Sequence, residues 1–243
     1  MLYRNGAIVL SPVFYLKNFK QRSGFLWRYK GMMKAKYIFP ILALFFLASC
    51  ASKGPYVSDD ALSMAGQHRE VAILPFAVSF DNNYKMMMRQ ARGRNGDEYW
   101  AEQGRLAGLE IQKDFFTVMA KEIEKGRIQK VIQSFAVTNK RLSDAGIPIQ
   151  QLQNMDKAQL CQILGVDAVL VGTSKVEVFP GGRFSSPGGT RVEARLYDGR
   201  SGALIWSDET LQRPSTPYDT PSRLGSMAVD GLVKDLPYRK KRG

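Results

Sequence analysis

Leu164-Gly165-Val166-Asp167-Ala168-Val169-Leu170-Val171-Gly172-Thr173 is the stretch that decides the fold. Leu164 ends an apolar helical segment, Gly165 is its terminator, and the run from Val166 is a strand rich in β-branched and aliphatic residues. A helix that stops and feeds directly into such a strand is the end of a crossover unit. A crossover requires a parallel neighbour in the same sheet. The segment 71–76 within VAILPFAVSF is the natural neighbour; it ends near Pro75 or continues past it as an edge strand, because proline has no N–H to give the ladder.

Working outward, residues 98–125 form the main helix, with Trp100, Leu106, Leu109, Phe116, Met119 and Ile123 near helical spacing. Asp97 is its expected N-cap and Gly126 its stop. IQKVIQSFAV follows as a second strand, 138–145 as a short helix ending at Gly146, and Asp156 caps the helix that runs to Leu164. Beyond the Gly-rich loop PGGRFSSPGG, TRVEARLYD and ALIWSDE form a hairpin joined by Gly199-Arg200-Ser201-Gly202. Val192, Ala194 and Leu196 share one face of it, and Arg191, Glu193 and Arg195 the other. A last helix over 222–236 packs on the sheet. The expected fold is α/β (α+β): a single three-layer-like domain over 69–238, with a mixed sheet, a long helix after the first strand and a C-terminal helix. Internal repeats are absent.

Upstream, Tyr37 opens the apolar run YIFPILALFFLASC, which closes on Leu47-Ala48-Ser49-Cys50. Lys34 and Lys36 stand before it, and its apolar part of about eleven residues suits a secretory signal rather than a membrane span. The four closing residues resemble the lipobox of bacterial lipoproteins, which implies cleavage before Cys50 and acylation of that cysteine. In that family an Asp after the cysteine favours inner-membrane retention in some bacteria, and Ala51 does not supply it, so the outer membrane is the expected location. The expected organisation is therefore an over-called start or long basic n-region at 1–31, a signal peptide at 32–49, a lipid-anchored linker at 50–68, the domain at 69–238 and a basic tail at 239–243. ALSMAG within the linker is a short helix.

Eight of the Lys and Arg residues precede Cys50 with no acidic residue among them, so only +5 of the formal +13 belongs to the chain from Cys50 on. Four of those five charges come from Arg239, Lys240, Lys241 and Arg242. The body is nearly neutral, and nucleic acid is not an expected partner. Cys161, beside Leu160 and Leu164, reads as a core thiol. His68 is the one histidine, placed in the linker, so a Ser/His/Asp system would have to rely on it. One His and one Cys far apart give no metal site, and neither Gly-rich loop has phosphate-cradling spacing. No cofactor and no catalytic residue are expected; carboxylate pairs such as Asp81 with Asp97, or Asp208 with Glu209, stay open. The local feature that stands out is the basic, Met-rich stretch DNNYKMMMRQARGRNGD, read as loop at least at its end. Lys85, Arg89, Arg92 and Arg94 there, with Phe184 of the Gly-rich loop, are the candidate partner contacts.

VAILPF, LGVDAVLVGT and YDGRSGALIW together resemble the periplasmic α/β domains of small outer-membrane lipoproteins. That group includes the curli-secretion lipoprotein, the lipoprotein activators of penicillin-binding proteins and the amino-terminal domain of TolB, and the resemblance runs from Arg69 to Trp206. The order from YVSDDAL through SDAGI to LPY is similar to an uncharacterised family of outer-membrane lipoproteins. The resemblance implies a membrane-anchored module that binds an envelope protein without catalysis. An envelope hydrolase or glycan-acting enzyme, and a subunit of an oligomeric export assembly, remain the alternatives, and a homo-oligomer stays open with the last.

Overall fold

The computed structural model describes residues 54–92, 96–178, 188–216 and 219–240. The segment read as a signal peptide, the motif Leu47-Ala48-Ser49-Cys50, Arg94, Phe184 and the last three residues lie outside these. Among the described residues the seven strands are β1 (Tyr56–Val57), β2 (Glu70–Ile73), β3 (Ala77–Phe80), β4 (Val131–Ile132), β5 (Ala168–Val178), β6 (Gly188–Asp198) and β7 (Leu204–Gln212). The six α-helices among the described residues are α1 (Ala61–Gln67), α2 (Asn82–Arg92), α3 (Asp97–Glu124), α4 (Phe135–Asp144), α5 (Lys157–Leu164) and α6 (Pro221–Lys234). They make a mixed sheet in the order β1-β7-β6-β5-β2-β4, with β3 also beside β5.

The crossover has the form its sequence requires. Asp156 accepts from the Gln159 N–H to start α5, and Gly165 at φ 59° ends it in the left-handed region. β5 then lies parallel to β2, with Val71 opposite Ala168. Pro75 divides the VAILPFAVSF run into β2 and β3, and both pair parallel with β5, whose second half holds Ala77 opposite Thr173. At the break the Phe76 N–H turns away from the sheet and donates to the Gly108 carbonyl of α3 at 3.2 Å.

α3 therefore sits hard on this strand, and glycines let it do so. A Cβ at Gly108 would lie 2.0 Å from the Phe76 carbonyl oxygen, and one at Gly104 2.8 Å from that of Val78. The buried stripe of α3 runs Trp100, Gly104, Gly108, Ile111, Phe115 and Met119. Leu106, expected inside, is exposed, because a stripe centred on two glycines turns it outward. α6 lies beside α3 in the same direction, with Ser222 bonded to Glu110 and Ser226 to Asp114. Together with α1 they cover one face of the sheet; α4 and α5 cover the other around Leu74, Val169 and Val171.

Five further expectations change. The second strand is only Val131–Ile132, since Phe135 already opens α4; Phe135 packs its ring on Phe116 instead of entering the sheet. The Met-rich stretch is helix through Arg92, not loop. Gly96, not Asp97, is the N-cap of α3, with Asp97 in the first turn where a negative charge favours the helix dipole. The segment expected to be linker joins the fold from Tyr56 on: β1 pairs with β7, and Ala61, Ala65 and His68 are buried. At the other end Arg239 bridges to Ile128 and its guanidinium meets Glu122 at 3.2 Å, so the expected basic tail is fixed to the domain through Lys240.

Candidate functional site

Because Ser222 stands level with Glu110, the first turns of α3 have no helical neighbour along α6. A cleft of about 310 Å³ opens there. Phe80 at the end of β3, Tyr84 in the first turn of α2, and Tyr99 and Trp100 at the start of α3 form its aromatic wall. Ring centroids lie 5.1 Å apart for Phe80 and Trp100, 6.2 Å for Tyr84 and Trp100, and 5.2 Å for Tyr99 and Trp100. Contacts of this kind contribute about 0.5–1.5 kcal/mol each beyond area burial, so the wall is pre-formed. Ser174 and Val176 of β5 form the floor, and Thr220, Pro221 and Ser222 the far side.

Two polar groups here are unspent. The Trp100 indole N–H and the Ser174 hydroxyl are both buried and have no hydrogen-bond partner among the described residues. Such a group costs about 1–3 kcal/mol when left unsatisfied. Asp219, also on the cleft, is fully engaged: its carboxylate accepts from the Thr216 and Ser215 N–H groups, both at 2.8 Å. Those backbone bonds, that from Thr216 foremost, hold it below the usual carboxylate range.

α2 forms the rim. Tyr84, Met87 and Met88 face the aromatic cluster, while Lys85 and Arg89 follow one another at helical spacing on an adjoining stripe. Arg89 approaches Asp97 at 3.8 Å. The structure thus brings Lys85 and Arg89 onto one helix beside the cleft; the side chain of Arg92, and all of Arg94 and Phe184, lie outside what the structure describes. Phe80, Tyr84, Trp100 and Ser174 were missed from sequence as a site, because only the register of β3 on β5 brings them together.

The remaining candidates separate. His68 is buried, with Nε2 2.9 Å from Asp198 Oδ1 and Nδ1 2.7 Å from the Tyr238 hydroxyl, so both ring nitrogens are engaged. Burial would raise the Asp198 pKa, but hydrogen bonds from Ser201 and His68 outweigh it and take it down to about 2. Asp167 accepts from the Arg69 and Glu70 N–H groups at 2.7 and 3.0 Å, which holds it low and fixes β2 against β5. Cys161 is buried, and its thiol is pushed up to about 12, first by burial and then by nearby carboxylates. Asp97 is 95% exposed, so it shares no enclosed pocket with Asp81. Asp208 and Glu209 are successive on β7 and leave opposite faces of the sheet. Among the described residues there is no group of three His, Cys, Asp or Glu placed to hold a metal ion, and no helix long and apolar enough to cross a membrane.

No protein-family model and no curated protein matches the sequence. Solved structures similar in chain course include lipoprotein GNA1162 from Neisseria meningitidis, at TM-score 0.40 and 21% identity, covering 68% of this chain and 96% of that one. The PelC dodecamer from Paraburkholderia phytofirmans gives 0.37 and 12%, covering 70% and 89%. The C-terminal domain of LpoB from Salmonella enterica gives 0.30 and 10%, covering 63% and 95%. At these scores and identities the likeness brings no residue role with it.

Proposed function

We propose that this chain is a lipid-anchored envelope lipoprotein, held at the outer membrane through acyl chains on Cys50, and that its domain binds an envelope protein through the aromatic cleft without catalysing a reaction. The observation that carries the binding reading is the pairing of a pre-formed aromatic wall with two unpartnered buried polar groups, Trp100 Nε1 and Ser174 Oγ, in one cleft. A side chain of the partner enters the cleft, where burying an aromatic or large aliphatic group is worth about 1.5–3 kcal/mol. A carbonyl or hydroxyl beside it takes the indole N–H and meets the serine hydroxyl. Lys85 and Arg89 on the rim favour a partner with acidic residues flanking that anchor. Cys50 keeps the domain at the membrane, which raises the effective concentration of any partner in the same envelope.

The test is photo-crosslinking in the membrane-anchored form, with a photoreactive residue in place of Tyr99 at the cleft or of exposed Lys113 on α3. A single envelope protein captured from position 99 and not from 113 supports the reading. Equal capture at both, or none at 99, overturns it.

A further inference from the structure

At the other end of α3 and α6 lies a second concavity, an open groove of about 950 Å³ lined by Val57, Leu62, Arg127, Lys234, Arg239 and Lys240, among others. Its apolar part is exposed: Leu62 at 68% and Val57 at 46%, with neighbouring Tyr56 at 52%. Four of its lining residues are cations and one, Asp235, is an anion. Glu122 answers Arg127 and Arg239 at 3.2 Å each, whereas Lys234 and Lys240 make no ion pair among the described residues. An apolar patch rimmed by cations matches the chemistry of an anionic bilayer surface, with headgroup phosphates outside and hydrocarbon beneath.

Chain length says how near that surface is. Four residues lead from Cys50 to Gly54, and a fully extended chain covers at most about 3.6 Å per residue, so Gly54 lies within roughly 14 Å of an acylated Cys50. Pro55 and Val57 already line the groove. A leash this short holds the groove-bearing end of the domain close to an acylated Cys50.

Resting on the reading of Cys50 as an acylated anchor, we infer that this groove is the membrane-docking face, on which Tyr56, Val57 and Leu62 enter the interfacial layer while Lys234 and Lys240 hold anionic phospholipid headgroups. The domain then stands on its own membrane with α3 as a strut. From Trp100 to Glu124 the helix is about 36 Å long, so the aromatic cleft lies at the end away from the bilayer.

The experiment uses the full, processed lipoprotein reconstituted into vesicles of phosphatidylethanolamine with phosphatidylglycerol. An environment-sensitive fluorophore is placed through Leu62→Cys or, as the far-end control, Met86→Cys, and spin-labelled lipids serve as quenchers. The Leu62 probe is expected to be quenched at least roughly threefold more than the Met86 probe, as interfacial burial requires. Each cation near an anionic surface strengthens binding roughly fivefold, so Lys234→Gln with Lys240→Gln is expected to weaken that quenching while the protein stays on the vesicles. Equal quenching at the two positions in an acylated chain overturns the docking inference alone. A Cys50 found without acyl groups by mass spectrometry overturns the anchor reading and the inference with it. A Leu62 probe shielded from water but not quenched by lipid assigns the groove to a protein neighbour instead, and also overturns it.

Discussion

His68 Nε2 and Asp198 Oδ1 stand 2.9 Å apart with both side chains buried, and the Tyr238 hydroxyl stands 2.7 Å from the other ring nitrogen. Three parts of the chain distant in sequence are tied by these contacts: the approach to β2, the β6–β7 turn and the end after α6.

The tie predicts an acid-sensitive fold. Asp198 titrates at about 2 in the folded protein and near the ordinary 3.9 when unfolded. Its contribution is therefore complete above about pH 4, declines as the unfolded chain takes up a proton first, and is gone below the folded value. Asp198→Asn should cost about 2 kcal/mol at pH 7. In denaturant titrations the gap between parent and variant should close between about pH 4 and pH 2; a gap independent of pH would contradict the assignment.

Gly108 predicts a sharp contrast between two substitutions of the same kind. A Cβ there meets the Phe76 carbonyl oxygen at 2.0 Å, while one at Gly66 in α1 meets nothing within 4 Å. Gly108→Ala should destabilise by about 3 kcal/mol through forced separation of α3 from the strand. Gly66→Ala should stabilise by about 0.5–1 kcal/mol through helix propensity. Thermal midpoints of the two variants check both signs.

Cys161 should be chemically silent. With its thiol near 12, the thiolate fraction at pH 8 is on the order of one in ten thousand, and the side chain is also shielded. Modification by a disulfide reagent should run roughly a thousandfold slower than for a free cysteine, and rise to the ordinary rate on unfolding. Fast labelling of the folded chain would place this thiol outside the core.

Ser174 predicts opposite effects on stability and binding. Its hydroxyl is buried without a partner, so Ser174→Ala should raise stability by about 1 kcal/mol. The same change should weaken capture of the partner several-fold, on the order of 1 kcal/mol for one lost hydrogen bond. Calorimetry and a binding titration read the two separately. A variant that binds as well as the parent would remove Ser174 from the site.

How much of this was legible in the sequence depends on whether local or distant residues decide it. Asp156 to Gly165 announces its helix by cap and stop, and the apolar run after it defines β5 and its parallel neighbour. The β6–β7 hairpin shows its alternation in Val192, Ala194 and Leu196. What was not legible needed register. Leu106 competes with Gly104 and Gly108 for the inner stripe of α3, and hydrophobicity ranks them in the wrong order because contact there is made through the absence of a side chain. The short β4 gives way to α4 when Phe135 packs against Phe116. DNNYKMMMRQAR reads as loop from its glycines downstream, yet Tyr84, Met87 and Met88 at helical spacing find Trp100 and make it a helix. His68 carries no local sign that its partners lie at 198 and 238.

Partner binding in the cleft beside Trp100 is the reading on which the rest stands. The most direct measurement is the dissociation constant of the partner captured at position 99 for the parent and for Ala107→Phe, which puts a ring into the cleft from its α3 wall. The expected result is a fold retained by circular dichroism and an affinity at least roughly tenfold weaker, the loss of one buried anchor. An unchanged dissociation constant in a folded Ala107→Phe chain would contradict it.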